Sequence, residues 1–135
     1  MATRCRVGVL NEDLSVQSIY VHWDGYPEYT GKVLQECYVD PGVVQNLVEG
    51  GYLSIISDAS PGERKPHALQ GNHFLDRVIL HPLDEWPDSG QDYEYCFNPR
   101  GGSWAFRKTY GDDKAWRSLS QFLSERETNR GETED

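Results

Sequence analysis

The 135-residue sequence predicts an α+β fold, a mainly antiparallel β-sheet built from two hairpins with helices packed on one side. Three observations carry that expectation. Runs near both ends alternate apolar and polar residues around turn-forming clusters, the period-two signature of strands. Segments between and after those runs repeat apolar residues at three-to-four spacing, the signature of helices. No internal repeat or heptad points to a solenoid or coiled coil.

The first hairpin joins Arg4–Leu10, where Cys5, Val7 and Val9 oppose Arg4, Arg6 and Gly8, to Ser15–Trp23 through the turn Asn11-Glu12-Asp13. In its second arm Ile19, Val21 and Trp23 share a face opposite Tyr20, His22 and Asp24, which predicts one core face and one wet face. Asp24-Gly25 and Tyr26-Pro27 end the strand, since Gly25 tolerates positive φ and Pro27 turns Tyr26 away from helix. A helix from Tyr29 or Thr30 then carries a stripe of Val33, Leu34, Cys37 and Tyr38. The next is the best marked: Asp40 caps it, Pro41 takes the first helical position, and Val43, Val44, Leu47 and Val48 form its stripe before Gly50-Gly51.

Beyond it, Tyr52–Ile56 reads as a short strand, Ser57–Asn72 as a surface loop, Phe74–His81 as a strand stopped by Pro82, and Leu83–Gln91 as a second loop. Tyr93–Phe97, the turn Asn98–Gly102 and Ser103–Tyr110 form the second hairpin, with Trp104, Phe106 and Lys108 opposite Ala105, Arg107 and Thr109. Asp112 or Asp113 is expected to cap a last helix in which Ala115, Trp116, Leu119, Phe122 and Leu123 recur. Residues 1–124 therefore read as a single domain, and residues 125–135, which lack any apolar side chain, as a disordered acidic tail.

Composition narrows the function classes. Thirteen Lys and Arg against 22 Asp and Glu give a formal charge of -9, which repels nucleic acid and anionic lipid at long range. Cys5, Cys37 and Cys96 lack CxxC spacing, so neither a disulfide framework nor a zinc site is expected. Cys37 and Cys96 read as buried small hydrophobes. No apolar run reaches a membrane span and no signal-peptide core follows Met1, so the expected location is the cytoplasm. The four histidines, His22, His67, His73 and His81, share no ligand spacing, and no metal or cofactor is expected.

Three groups of residues are candidates for function. His22, Asp24 and Glu28 lie close enough in sequence for a proton-transfer set, although strand and turn chemistry is the plainer reading. Tyr20, His22, Asp24 and Tyr26 are the densest polar and aromatic cluster and are taken as part of a binding surface. Arg64, Lys65 and His67 form one basic patch; Arg107, with Arg100 and Lys108, forms another beside Tyr95, Trp104 and Tyr110, where a nucleotide-like ligand could stack while arginine holds phosphate. An ordinary solvated face is the plainer reading of both patches.

The run SIYVHWDGYPEYTG, residues 18–31, continues to Tyr38 and is followed far downstream by Tyr93-x-Tyr95-x-Phe97 and by Ser103-Trp104-Ala105-Phe106. Together these resemble a family of small proteins encoded by bacteriophages and mobile elements. No reaction or catalytic residue comes with that resemblance. It implies an accessory protein acting in the host cell, on a host factor or host defence. The function expected is thus non-enzymatic binding that inhibits a host protein or sequesters a small nucleotide-type signal, with homo-oligomerisation through strand edges open. Two alternatives stand beside it: an acidic mimic of nucleic acid, using carboxylates such as Asp84, Glu85, Asp88 and Asp92, and a small hydrolase built on His22, Asp24 and Glu28.

Overall fold

The computed structural model describes residues 3–53, 55–56 and 78–134, with residues 127–134 as backbone only. Six strands form one sheet in the order β3-β2-β1-β4-β5-β6: β1 (Cys5–Leu10), β2 (Ser15–Val21), β3 (Ile79–Pro82), β4 (Tyr93–Asn98), β5 (Ser103–Lys108) and β6 (Arg117–Ser118). Every neighbouring pair is antiparallel except β1 and β4, which run parallel at the centre. Both expected hairpins are present, and the sheet is α+β and mostly antiparallel as the patterning predicts.

One face of the sheet carries the helices. Phe106, Tyr95, Val7 and Ile19 lie in one cross-strand row and are buried, as are Trp104, Phe97 and Val9 in the next. Against them pack α1 (Lys32–Cys37), α2 (Pro41–Glu49) and the start of α3 (Leu119–Glu134), through Leu34, Val44, Leu47, Val48 and Leu119. Asp40 caps α2 as its sequence foretells, Oδ1 accepting from the amides of Gly42 and Val43, with Pro41 at the first helical position.

The opposite face departs from the expected wet surface. Arg6, Ser18 and Tyr20 alternate outward from the helical core, yet Arg6 and Ser18 are 0% exposed and Tyr20 is 2% exposed. The segment between β3 and β4 meets Arg6 through Ser89, while Tyr52 and His22 pack on Tyr20. Arg6 donates from Nε to Ser18 Oγ at 3.0 Å, from one terminal nitrogen to Ser18 O at 2.9 Å, and from the other to Ser89 Oγ at 2.9 Å. Beside it, buried Glu94 accepts from Arg107 Nε at 2.7 Å and from Gln91 Nε2 at 2.8 Å. Over this layer Arg107 lies on Trp116 (4.9 Å), Trp116 meets Trp86 (5.7 Å), and Trp86 meets His81 (4.8 Å). Burial lowers the Arg6 pKa to about 10 despite the opposing attraction of Glu94, so the guanidinium stays charged near neutrality.

Several local expectations are corrected. Trp23 lies past the end of β2 and is 47% exposed rather than in the core. Within Tyr52–Ile56 the described residues contribute an isolated bridge, Leu53 to Val21. The helix stripe after Pro27 opens with a π-turn, Pro27–Gly31, before α1, and Cys37 is exposed whereas Cys96 is buried. Ala115 and Trp116 precede α3 because Arg117-Ser118 pairs as β6 with Phe106 and Ala105. Asp113 serves a turn there, accepting from the Ala115 amide. The α3 backbone continues to Glu134 through the segment expected to be disordered. A packed first turn supplies the nucleus that a helix of poor apolar content needs. The Ser57–Asn72 loop and the first part of Phe74–His81 lie outside the described residues; Ile79–Pro82 is a strand.

Two predictions follow from the covered face. Glu94→Ala strips the carboxylate from buried Arg6 and part-buried Arg107, and should lower unfolding free energy by about 3–5 kcal/mol in denaturant titration. His81 supplies the second. Its Nε2 faces Ser18 Oγ and its Nδ1 faces Pro82 O, each at 2.8 Å, and burial holds its pKa below the ordinary histidine value. The unfolded chain therefore binds this proton more readily. The stability contribution is complete above a pH of about 6.5 and is lost as pH falls from there through the folded pKa. The melting temperature should drop between neutral and mildly acidic pH, and His81→Gln should flatten that part of the curve. An unchanged slope in His81→Gln would assign the dependence to other groups.

Candidate functional site

The motif at residues 22–31 folds into a tight corner at the end of β2. Asp24 is its left-handed residue, at φ 55°, in place of Gly25. Gly25 serves a different need: a Cβ there would stand 2.9 Å from the Arg4 and Cys5 backbone, and its carbonyl accepts from Tyr95 Oη at 2.7 Å. Thr30 Oγ1 donates to Asp24 O at 2.6 Å, closing the loop on itself. Gly31 lets α3 approach, since a Cβ would come within 2.9 Å of the Leu119 side chain. Most of the motif is thus occupied by fold, and Glu28 remains outward and exposed.

Glu28 stands at the shared wall of two cavities beside α3. The larger, about 490 Å³, lies between α1 and α3, with Lys32, Gln35, Glu36, Ser120, Ser124 and Arg126 around it. The smaller, about 220 Å³, is aromatic: Phe106, Phe122, Tyr93 and Tyr110 line it together with Pro27, Lys108 and Arg117. The Glu28–Arg126 ion pair, at 2.7 Å, divides them. Among the described residues, four cations and two carboxylates line this cleft in a chain whose net charge is -9.

The cations differ in how they are engaged. Arg117 pairs with Asp113 and Arg126 with Glu28; among the described residues Lys32 and Lys108 are in no ion pair. Lys108 Nζ lies 5.7 Å from the Tyr110 ring centre. The Tyr93 and Tyr110 hydroxyls are 3.0 Å apart, so one phenol proton is spent between them and the other is left to donate outward. Burial first, then that hydrogen bond, raises the Tyr93 pKa, which keeps the phenol protonated near neutrality. Protonated phenols, the Lys108 ammonium over Tyr110 and the Arg126 guanidinium over Phe122 favour an anionic ligand with a flat apolar part.

Comparison with protein-family models, curated proteins and solved structures finds no match. The reading of the cleft therefore rests on its own chemistry.

The residues singled out from sequence are dispersed. Tyr95 and Trp104 are core: each is at most 2% exposed, and Trp104 Nε1 donates to Tyr38 O at 2.8 Å. They cannot stack on a ligand at the surface. Arg107 is committed to Glu94 on the opposite face of the sheet. Tyr20 is buried, stacks on Tyr52 and bonds His22 Nδ1 at 2.8 Å, while His22 meets Trp23 edge-on. Burial, then the charge of Arg4, lowers the His22 pKa. With His22 turned to Tyr20 and Glu28 to Arg126, neither described contact joins the proposed acid–base set of His22, Asp24 and Glu28. Tyr26 is partly exposed at the start of the π-turn. Arg64 and Lys65, with His67 and His73, lie outside the described residues.

Sequence reasoning missed Lys32, Tyr93, Arg117, Phe122 and Arg126. They belong to four elements or their flanks and meet only because α3 packs on Gly31. The readable signals were Glu28, the one acidic residue within the motif's Tyr26–Gly31 turn, and Lys108 beside Tyr110.

Proposed function

We propose that this protein is a non-enzymatic binding protein that sequesters a small, nucleotide-type anion in the cleft beside α3. The observation that carries the proposal is the concentration of Lys32, Lys108, Arg117 and Arg126 around an aromatic floor in a strongly acidic chain. Aromatic rings supply a stacking platform that every base accepts, and lysine and arginine supply the phosphate contacts. The acidic remainder of the surface opposes long nucleic acids and leaves small anions as the favoured ligands. In the phage setting that the motif's resemblance implies, capture of a host signalling nucleotide would act against host defence.

The serine–histidine contact on the opposite face is structural. Ser18 is fully buried, and its oxygen already accepts from Arg6 while facing His81. That geometry holds a strand pair together and offers no open nucleophile.

Isothermal titration with a panel of nucleoside mono- and diphosphates should detect saturable binding that weakens as salt rises. Lys108→Ala should weaken it by roughly tenfold, the value of one charge-assisted contact, without lowering the melting temperature. Saturable binding left intact by both Lys108→Ala and Phe122→Ala would refute the cleft. A second reading rests on Trp23, which is 47% exposed beside partly exposed Tyr26 and suits a protein contact. If that corner is the functional surface, Trp23→Ala abolishes activity in cells while nucleotide titration stays unchanged.

A further inference from the structure

The two cavities differ in chemistry in a way that orders a ligand along them. Among the described residues, the smaller is walled by four aromatic rings, and the larger has none and presents Lys32, Arg126, Ser120 and Ser124. Between them stands a carboxylate, Glu28, whose ion pair with Arg126 is about half exposed at both ends, 43% and 55%. An exposed pair of this kind contributes little and is readily exchanged. A phosphate carries more charge than a carboxylate and accepts the arginine fork in the same bidentate manner. Arg126 thus has a stronger partner available whenever a phosphate enters the larger cavity.

Once Arg126 turns to that phosphate, Glu28 is left as an acceptor at the midpoint of the cleft. A second anionic group beside it would be repelled. Neutral donors are what it can take, and a vicinal pair of hydroxyls matches its two oxygens. The order from one end of the cleft to the other is then ring, diol, phosphate. That is the layout of a ribonucleotide.

Resting on the binding role proposed above, we infer that the ligand is a ribonucleoside 5′-monophosphate or a larger molecule containing one. Its base stacks against the Phe122, Tyr93 and Tyr110 rings of the smaller cavity, its ribose hydroxyls donate to Glu28, and its phosphate takes Arg126 and Lys32. Glu28 acts as a sugar-selecting residue that holds Arg126 in place while the cleft is empty.

The test is titration calorimetry on the full chain with adenosine monophosphate, its 2′-deoxy counterpart, adenosine and inorganic phosphate, repeated with uridine, guanosine and cytidine monophosphates to cover the base. The wild-type protein should bind at least one ribonucleotide roughly tenfold more tightly than its deoxy form, as expected for one charged hydrogen bond, and more tightly than the nucleoside. Glu28→Gln should erase the ribose preference while retaining phosphate dependence. Arg126→Ala should reduce the ribonucleotide to nucleoside-like affinity. Equal affinity for ribo and deoxy forms, or a ribose preference that survives Glu28→Gln and Glu28→Ala, overturns this inference and leaves the anion-binding role standing. No binding of any nucleotide overturns both. Melting curves of each variant separate loss of binding from loss of fold.

Discussion

The structure depends on one costly placement, the burial of the Arg6 guanidinium at the centre of the sheet. β1 lies between β2 and β4, so Arg6 has neighbouring strands on both sides and cannot reach solvent along its own layer. A charge so placed must find hydrogen-bond acceptors and a counter-charge, because its desolvation costs several kcal/mol. Glu94 on β4 sits directly across from Arg6, Ser18 lies on β2 two residues from the register partner Tyr20, and Ser89 arrives from the segment between β3 and β4. Closing that segment over the sheet is therefore a condition of folding, and Trp86, Trp116 and Arg107 stack on it as a lid of rings and planar cation. What was expected to be a two-layer fold with one bare face is a sheet covered on both.

The covered face also fixes the other one. With β1 and β4 locked in parallel register, Tyr95 is held where its hydroxyl reaches the Gly25 carbonyl, and the motif corner is pinned to the sheet. The corner then presents Gly31 to Leu119, which sets the angle at which α3 crosses β5 and β6. Phe122 stacks edge-on against Phe106 as a result, and Arg126, one turn further, comes within reach of Glu28. The cleft is a consequence of this chain of contacts, so its floor is rigid while the Glu28–Arg126 divide at its rim is exposed and weakly held.

The sequence made some of this readable and hid the rest for definite reasons. Period-two alternation found both hairpins, and Asp40-Pro41 found α2, because those signals are local. Arg6 was misread since alternation alone marks a charged residue as wet, and its partners lie 12, 83 and 88 positions away, the last by register to Glu94. Trp116 fits the helical stripe of α3 in spacing, but strand pairing of Arg117-Ser118 with β5 overrides that propensity. Tyr95 and Trp104 looked like stacking rings beside cations; their polar atoms are instead spent on backbone carbonyls inside the core. Glu28 was visible, yet its significance was not, because Lys108, Arg117 and Arg126 join it only through tertiary packing.

On the binding role proposed above, charge would make such a cleft suit a small ligand better than a polymer. Electrostatic attraction is screened over about 8 Å at physiological salt, so a ligand held inside the cleft feels chiefly Lys32, Lys108 and the two arginines. A polynucleotide would extend past them across Glu36, Asp112, Asp113 and Glu125, all exposed near the cleft or on its flanking elements. Each added phosphate would then meet carboxylates, and the gain at the centre would be lost at the edges. The excess of acid in the chain and the local excess of base thus act together: one sets the sign of the ligand, and the other limits its size.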